Sequence, residues 1–242
     1  GSVIHIMNCY TSNVFTHNLR YFYFSDKLPL LQIDFVEDSS TLVRLNIDGS
    51  PKIVALSTYY PPSYYINNPH SILKHRYDLI LFGHSAGFVD IFGKGWELVV
   101  VSGNSRNDQD RRNSKDQILR NYWFNICLEN AIAPFYVTEK IWESISAGCL
   151  PIYYSNDTIY EIFPKNSFLD YREFAGPEAL YHYLQSMSVK EYKERMNRCI
   201  DTFNSIIDSG KNNTWRGKSA NLNINYLEYE TCYKELVGIL KN

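Results

Sequence analysis

The sequence predicts an α/β protein of two halves with a cleft between them, the second half a parallel sheet covered by helices. Three observations carry this. Past residue 95, apolar strand patterns and helical patterns alternate: Phe124 to Leu128 reads as a strand, Thr138 to Ala147 as a helix, Cys149 to Tyr154 as a strand. Alternation at that spacing argues for a parallel sheet covered on both faces. Secondly, Val189, Tyr192, Met196, Ile200, Phe203 and Ile207 recur at steps of three and four, which gives a helix one apolar face. Finally, 242 residues of 45% hydrophobic composition suffice to bury a core, as one large domain or two small ones.

In chain order, Val3 to Met7 reads as a buried strand and Phe15 to Phe24 as a helix. Leu28 to Val36, Leu42 to Ile47 and Lys52 to Leu56 read as strands, the last after a turn at Asp48-Gly49-Ser50-Pro51. Pro61, Pro62 and Pro69 mark a loop, because proline supplies no ladder donor. Tyr77 to Gly83 reads as a strand, and Phe92-Gly93-Lys94-Gly95 as the boundary between a half at 1–95 and a half at 96–242. Leu98 to Val101 then gives a strand and Ser114 to Asn121 a helix. Pro177 after Gly176 opens a helix presenting Leu180, Leu184 and Met187, and Leu222 to Leu240 forms the last helix.

A net charge of −2 with scattered Lys and Arg gives no footprint for nucleic acid. No apolar run reaches the length of a membrane span. The five cysteines lie in apolar segments without metal-ligand spacing and read as buried thiols of a reducing, cytoplasmic compartment. Two Asn-x-Thr triplets, at Asn156 and Asn212, lean the other way, toward a secretory route. The Gly1-Ser2 start leaves room for a removed leader or anchor.

The chemistry concentrates at Tyr136-Val137-Thr138-Glu139-Lys140. Thr138 suits a helix N-cap, its hydroxyl accepting from a backbone N–H. Glu139 in the first turn is what the helix dipole prefers, whereas Lys140 there opposes it at a cost of some tenths to about 1 kcal/mol. An anion beside Lys140 offsets that cost, and a diphosphate at a helix start is the expected one. Arg106, at the end of the Val99 to Val101 strand, suits a second phosphate contact through its planar guanidinium, with Arg111 and Arg112 as competitors. Asp108 and Asp110 imitate a two-carboxylate metal motif, but the arginines after them neutralise it, so no metal is expected. Gly83-His84-Ser85-Ala86-Gly87 has the letters of a hydrolase elbow, G-x-S-x-G, with His182 the only later histidine.

Four blocks in order resemble the α1,3/α1,4-fucosyltransferases of glycosyltransferase family 10. They are Phe124 to Asn130, Tyr136 to Lys140, Ala147 to Ile152, and Phe163 to Phe174, within a similarity running over about residues 97 to 190. The resemblance implies a GT-B fold of two Rossmann-like domains and a metal-independent, inverting transfer of fucose from GDP-fucose to a glycan hydroxyl. It implies no cofactor besides that donor, and a glycan or glycoprotein acceptor as partner. Arg106 and Lys140 would neutralise the diphosphate, Glu139 would hold the ribose hydroxyls, and Asn130, Tyr136 and Thr138 would line the donor pocket. The family's general base is a Glu in a Glu-Asn-x-x-Pro context. The stretch compared with it, Ser57 to Pro62, has no carboxylate. Asp38 and His84, each after an apolar run, are therefore the candidate bases. Ser146 to Pro151 is also similar to exostosin-type transferases, which keeps a UDP-sugar such as UDP-xylose as an alternative donor. A nucleotide-sugar-binding module without catalysis is the other alternative.

Overall fold

The computed structural model describes residues 26–31, 49–97, 102, 111–134 and 136–212. Ten elements matter to the argument. They are β1 (Ile53–Leu56), α1 (Leu73–Ser85), β2 (Val89–Phe92), α2 (Arg111–Leu119), β3 (Phe124–Ile126), α3 (Glu139–Ser146), β4 (Leu150–Tyr153), β5 (Leu169–Asp170), α4 (Pro177–Ser186) and α5 (Val189–Asn212). The expected elements at 3–7, 15–24, 42–47, 98–101 and 222–240 lie outside the described residues. Of 28–36, only 28–31 is described: it is not strand, and Asn204 and Asn197 on α5 clamp the backbones of Leu28 and Leu31.

All five strands form one parallel sheet in the order β2-β1-β3-β4-β5. The α/β class and parallel sheet are those expected. Side chains alternate across β1: Ile53 and Ala55 enter the main core, while Val54 enters a smaller one with Leu119, Tyr122, Ala147 and Cys149. Apolar packing on both sides of β1 explains the continuous Ile-Val-Ala-Leu run there. On α5 the predicted stripe is buried at Tyr192, Met196, Ile200, Phe203 and Ile207, with Cys199 beside it, while Val189 is exposed. Tyr192 anchors this helix to the sheet, its hydroxyl lying 3.0 Å from the carbonyls of both Trp123 and Gly148. Cys127, Cys149 and Cys199 are buried free thiols, Cys127 and Cys199 being pushed up in pKa by burial. Among the described residues no helix is long and apolar enough to cross a membrane.

Two readings need correction. Tyr77 to Gly83 is not a strand but the middle of α1, whose buried positions Leu73, Arg76, Tyr77, Leu79, Ile80 and Gly83 recur at helical steps of three and four. The apolar run Leu79 to Phe82 hides that period, because Phe82 is in fact exposed. The hydrolase reading falls with it, since Gly83 to Gly87 turns from a helix into a strand, the reverse of the elbow. The break at 95/96 also cuts across a single sheet, for β1 pairs with β2 on one side and with β3 on the other.

The glycines read as a boundary have another purpose. Ser57 N–H donates to Phe92 O at 2.9 Å and Tyr59 N–H to Lys94 O at 2.8 Å, so the β1 and β2 backbones stay paired beyond the strands. A Cβ on Gly93 would lie 1.9 Å from Ser57 O, and one on Gly95 2.5 Å from Tyr59 O. Only a residue without a side chain permits this approach. Gly93→Ala is therefore expected to destabilise the fold by more than about 1 kcal/mol, read as a lower midpoint in urea denaturation.

Candidate functional site

In a 2-1-3-4-5 sheet the chain leaves β1 for one side and returns to β3 on the other. The loops after β1 and β3 then part and leave a crevice beyond the strand carboxyl ends. Further along, an antiparallel bridge between Ser71 and Ala131, with Ile132 N–H donating to His70 O at 2.7 Å, ties these two loops back together. The loop after β3 carries Glu129 and Asn130 and leads into the first turn of α3 with Thr138, Glu139 and Lys140.

Glu129 is fully buried, and its carboxylate organises the wall. Oε1 accepts from the Thr138 N–H at 2.8 Å and the Tyr153 hydroxyl at 2.7 Å. Oε2 accepts from Lys140 Nζ at 2.9 Å. The Thr138 hydroxyl stands 2.9 Å from both oxygens and shares its one proton between them, and it accepts from Lys140 Nζ at 2.6 Å. Burial and the Glu129 carboxylate together push the Tyr153 hydroxyl well above its ordinary pKa, so it remains a donor.

Thr138 does occupy the N-cap position, but its hydroxyl makes no capping bond because Glu129 and Lys140 engage it. The anion that offsets the first-turn charge of Lys140 is likewise Glu129, a residue of the chain, so the charge by itself does not require a diphosphate. Burial alone would lower the Lys140 pKa, but the Glu129 and Glu139 carboxylates outweigh it and hold it above the ordinary lysine value. Glu139 is the mirror case. Burial raises it, but Lys140, its own backbone N–H and Lys115 bring it below the ordinary carboxylate value, so it is ionised at neutral pH.

Asn130 is exposed at the crevice. Arg76, a buried guanidinium on α1, donates from one NH1 group to Leu128 O and to Asn130 Oδ1, both at 3.0 Å. Arginine has no acceptor, so this bond fixes the amide with its oxygen toward Arg76 and leaves the Nδ2 hydrogens for a ligand. Tyr136 is half-buried, with its carbonyl accepting from the Ser155 hydroxyl at 2.9 Å. Asn130, Tyr136, Thr138, Glu139 and Lys140 lie along one loop and helix start. Arg106 and Asp38 lie outside the described residues, as do Asp108 and Asp110; among the described residues no three His, Cys, Asp or Glu side chains form a metal-binding group.

His84 does not join them. α1 runs antiparallel to the strands, from Ile72, whose N–H donates to Asn130 O, down to His84, whose Nδ1 lies 3.1 Å from Val89 O at the start of β2. Thirteen helical residues span about 20 Å, so His84 stands at the opposite edge of the sheet from Lys140. Sequence reasoning assigned no role to Glu129, Arg76 or Tyr153. The signal for Glu129 was a carboxylate closing an apolar strand just ahead of a Thr-x-Lys helix start.

Lys140→Ala is expected to cost about 3–5 kcal/mol of stability by leaving Glu129 buried without its counter-charge, measured by chemical denaturation. Acid should act in the same sense. Because the folded state depresses Glu139 and Asp170, the stability they contribute is present above their unfolded pKa values. It should drain away as pH falls through the folded ones. A midpoint that does not drop from about pH 5 to about pH 3 would contradict this.

The profile of "Glycosyltransferase family 10 (fucosyltransferase) C-term" matches residues 75–198, across the 95/96 division. Alpha-(1,3)-fucosyltransferase B of Drosophila melanogaster is 38% identical over 73 residues, 30% of this chain and 16% of the fly protein. GDP-fucose protein O-fucosyltransferase 3 of Canis lupus familiaris is 33% identical over 81 residues, 33% of this chain and 16% of the dog protein. The chain therefore aligns with only a small part of the length of these curated relatives. A crystal structure of an alpha1,3-fucosyltransferase with GDP-fucose aligns with 66% of this chain and 48% of its own, at 18% identity and a TM-score of 0.45.

Proposed function

Since the chain belongs to glycosyltransferase family 10, we propose that the crevice at the β1/β3 switch point takes the diphosphate and ribose of a nucleotide-sugar donor, with GDP-fucose first, and that the protein transfers the sugar to a hydroxyl of a glycan or protein. One observation carries the reading. Among the described residues, the crevice keeps free hydrogen-bond donors, an N–H of Lys140 and the Nδ2 hydrogens of Asn130, beside an ionised Glu139. Donors suit the oxygens of a diphosphate, and a carboxylate suits the paired hydroxyls of a ribose.

In an inverting transfer the acceptor oxygen attacks the anomeric carbon from the face opposite the diphosphate, a base takes its proton, and the diphosphate departs. Negative charge then grows on the oxygen shared with the anomeric carbon. Lys140 and Asn130 would stabilise it from one wall of the crevice, with Arg106 proposed as a second phosphate contact, as fixed dipoles and charges do in a water-poor site. Such a clamp does without a metal. Asp38 is the remaining base candidate, for His84 stands at the wrong edge of the sheet. The missing carboxylate in Ser57 to Pro62 does not count against catalysis: that stretch follows β1 within this same sheet, whereas an acceptor-side base comes from across the cleft.

Thermal unfolding of the full chain with GDP, GDP-fucose, UDP and UDP-xylose tests the donor. A ligand at 100 times its Kd should stabilise the fold by about 2.7 kcal/mol, and the guanine nucleotides should do so at lower concentration than the uridine ones. The reverse order would transfer the reading to a UDP-sugar. With GDP-fucose and a mixture of glycan and protein acceptors, transfer should persist in excess EDTA and in His84→Ala, and cease in Asp38→Asn. Release of free fucose without transfer, or no turnover at all, would favour a binding module.

A further inference from the structure

Lys140 has three ammonium hydrogens. One meets Glu129 Oε2 at 2.9 Å and a second meets Thr138 Oγ1 at 2.6 Å, which leaves one without a partner among the described residues. The side chain is 23% exposed while Glu129 is 0% exposed, so the lysine is the member of this ion pair that reaches solvent. Glu129 is itself held from three elements, two strands and a helix: its own β3 extension, Tyr153 at the end of β4, and the Thr138 N–H at the start of α3.

We infer that Glu129 is a positioning residue, whose carboxylate fixes the Lys140 ammonium and the Thr138 hydroxyl in one orientation so that a donor diphosphate oxygen meets a single pre-placed N–H. The inference rests on the diphosphate reading of the site. A lysine of four rotatable bonds held in advance loses less freedom on binding than one that must be recruited, which is the advantage of preorganisation. Glu129 touches no ligand in this arrangement and acts through Lys140.

Its second effect is on the charge of that lysine. The groups facing Lys140 are Glu129 from the β3 loop, Glu139 from its own helix and Arg76 from α1, with Lys115 of α2 paired to Glu143 one turn along α3. Burial and Arg76 favour the neutral amine; the two carboxylates favour the ammonium. Without the Glu129 charge, Glu139 alone opposes burial and Arg76, and the lysine titrates at lower pH. Diphosphate binding uses the charged form, so affinity in that variant falls as pH rises.

Calorimetric titration of GDP into the full-length wild type, Glu129→Gln and Glu129→Asp, at about pH 7.5 and about pH 9, separates the two effects; wild type serves as reference for titration of GDP itself. For Glu129→Gln, the affinity relative to wild type should fall about fivefold or more between the two pH values, because burial and Arg76 then face only one carboxylate and the lysine gives up its proton more readily. Glu129→Asp keeps the charge but retracts it, so it should bind more weakly than wild type by the same factor at both pH values. A pH-independent ratio for Glu129→Gln, or wild-type affinity in either variant, overturns the inference while leaving the diphosphate site standing. Absence of GDP binding by wild type removes both. If circular dichroism shows Glu129→Gln to be unfolded, Tyr153→Phe serves instead. It strips one donor from the same carboxylate and keeps both charges, and should weaken GDP binding at least threefold with a flat pH ratio; unchanged affinity overturns the inference.

Discussion

A carboxylate with no exposure to water, at the end of an apolar strand, is the constraint around which this wall of the crevice is built. Burying the Glu129 charge is tolerable only where hydrogen bonds and a counter-charge replace its lost hydration. The chain supplies them from three directions: the Tyr153 hydroxyl from β4, the Thr138 backbone and hydroxyl from the helix entrance, and the Lys140 ammonium from the first turn of α3. Each contributor is thereby held to one place. The same interaction that satisfies a buried charge also lines up a helix start, and that coupling gives the crevice a defined shape.

The rest of the fold puts this network where a ligand can use it. Strand order 2-1-3-4-5 opens the crevice between the loops after β1 and β3. Gly93 and Gly95 let the β2 backbone run against the β1 loop, which holds one side of the opening in place. Arg76 reaches from α1 to fix the amide of Asn130 on the other side. Since α1 is antiparallel to the strands, its first turns serve the crevice and its last turn, with His84, does not. Element direction thus decides which polar residues can share a reaction, whatever their distance in sequence.

Much of this was legible in the residues. The α/β class followed from alternating periods, and strands β1, β3 and β4 and helices α2 to α5 fell close to their expected places. The helix start at Thr138 to Lys140 also fell where the N-cap pattern placed it. What escaped was set by tertiary contact. The Leu79 to Phe82 run looks like a strand because helical burial admits one exposed Phe inside an apolar stretch. Gly93 and Gly95 look like a linker because a close backbone approach and a flexible joint ask for the same residue. The lysine at the helix start was correctly seen to want an anion, but nothing local shows that Glu129, eleven positions earlier, supplies it. A buried carboxylate reads in sequence like any solvated one, and only its partners on other elements distinguish the two.

The most direct test is a crystal structure of the full chain with GDP bound. The account predicts a diphosphate oxygen at about 3 Å from Lys140 Nζ, a hydrogen-bonding distance, with the contacts of that ammonium to Glu129 and Thr138 retained. A diphosphate bound elsewhere, or a Lys140 swung away from Glu129 to reach it, would contradict the account.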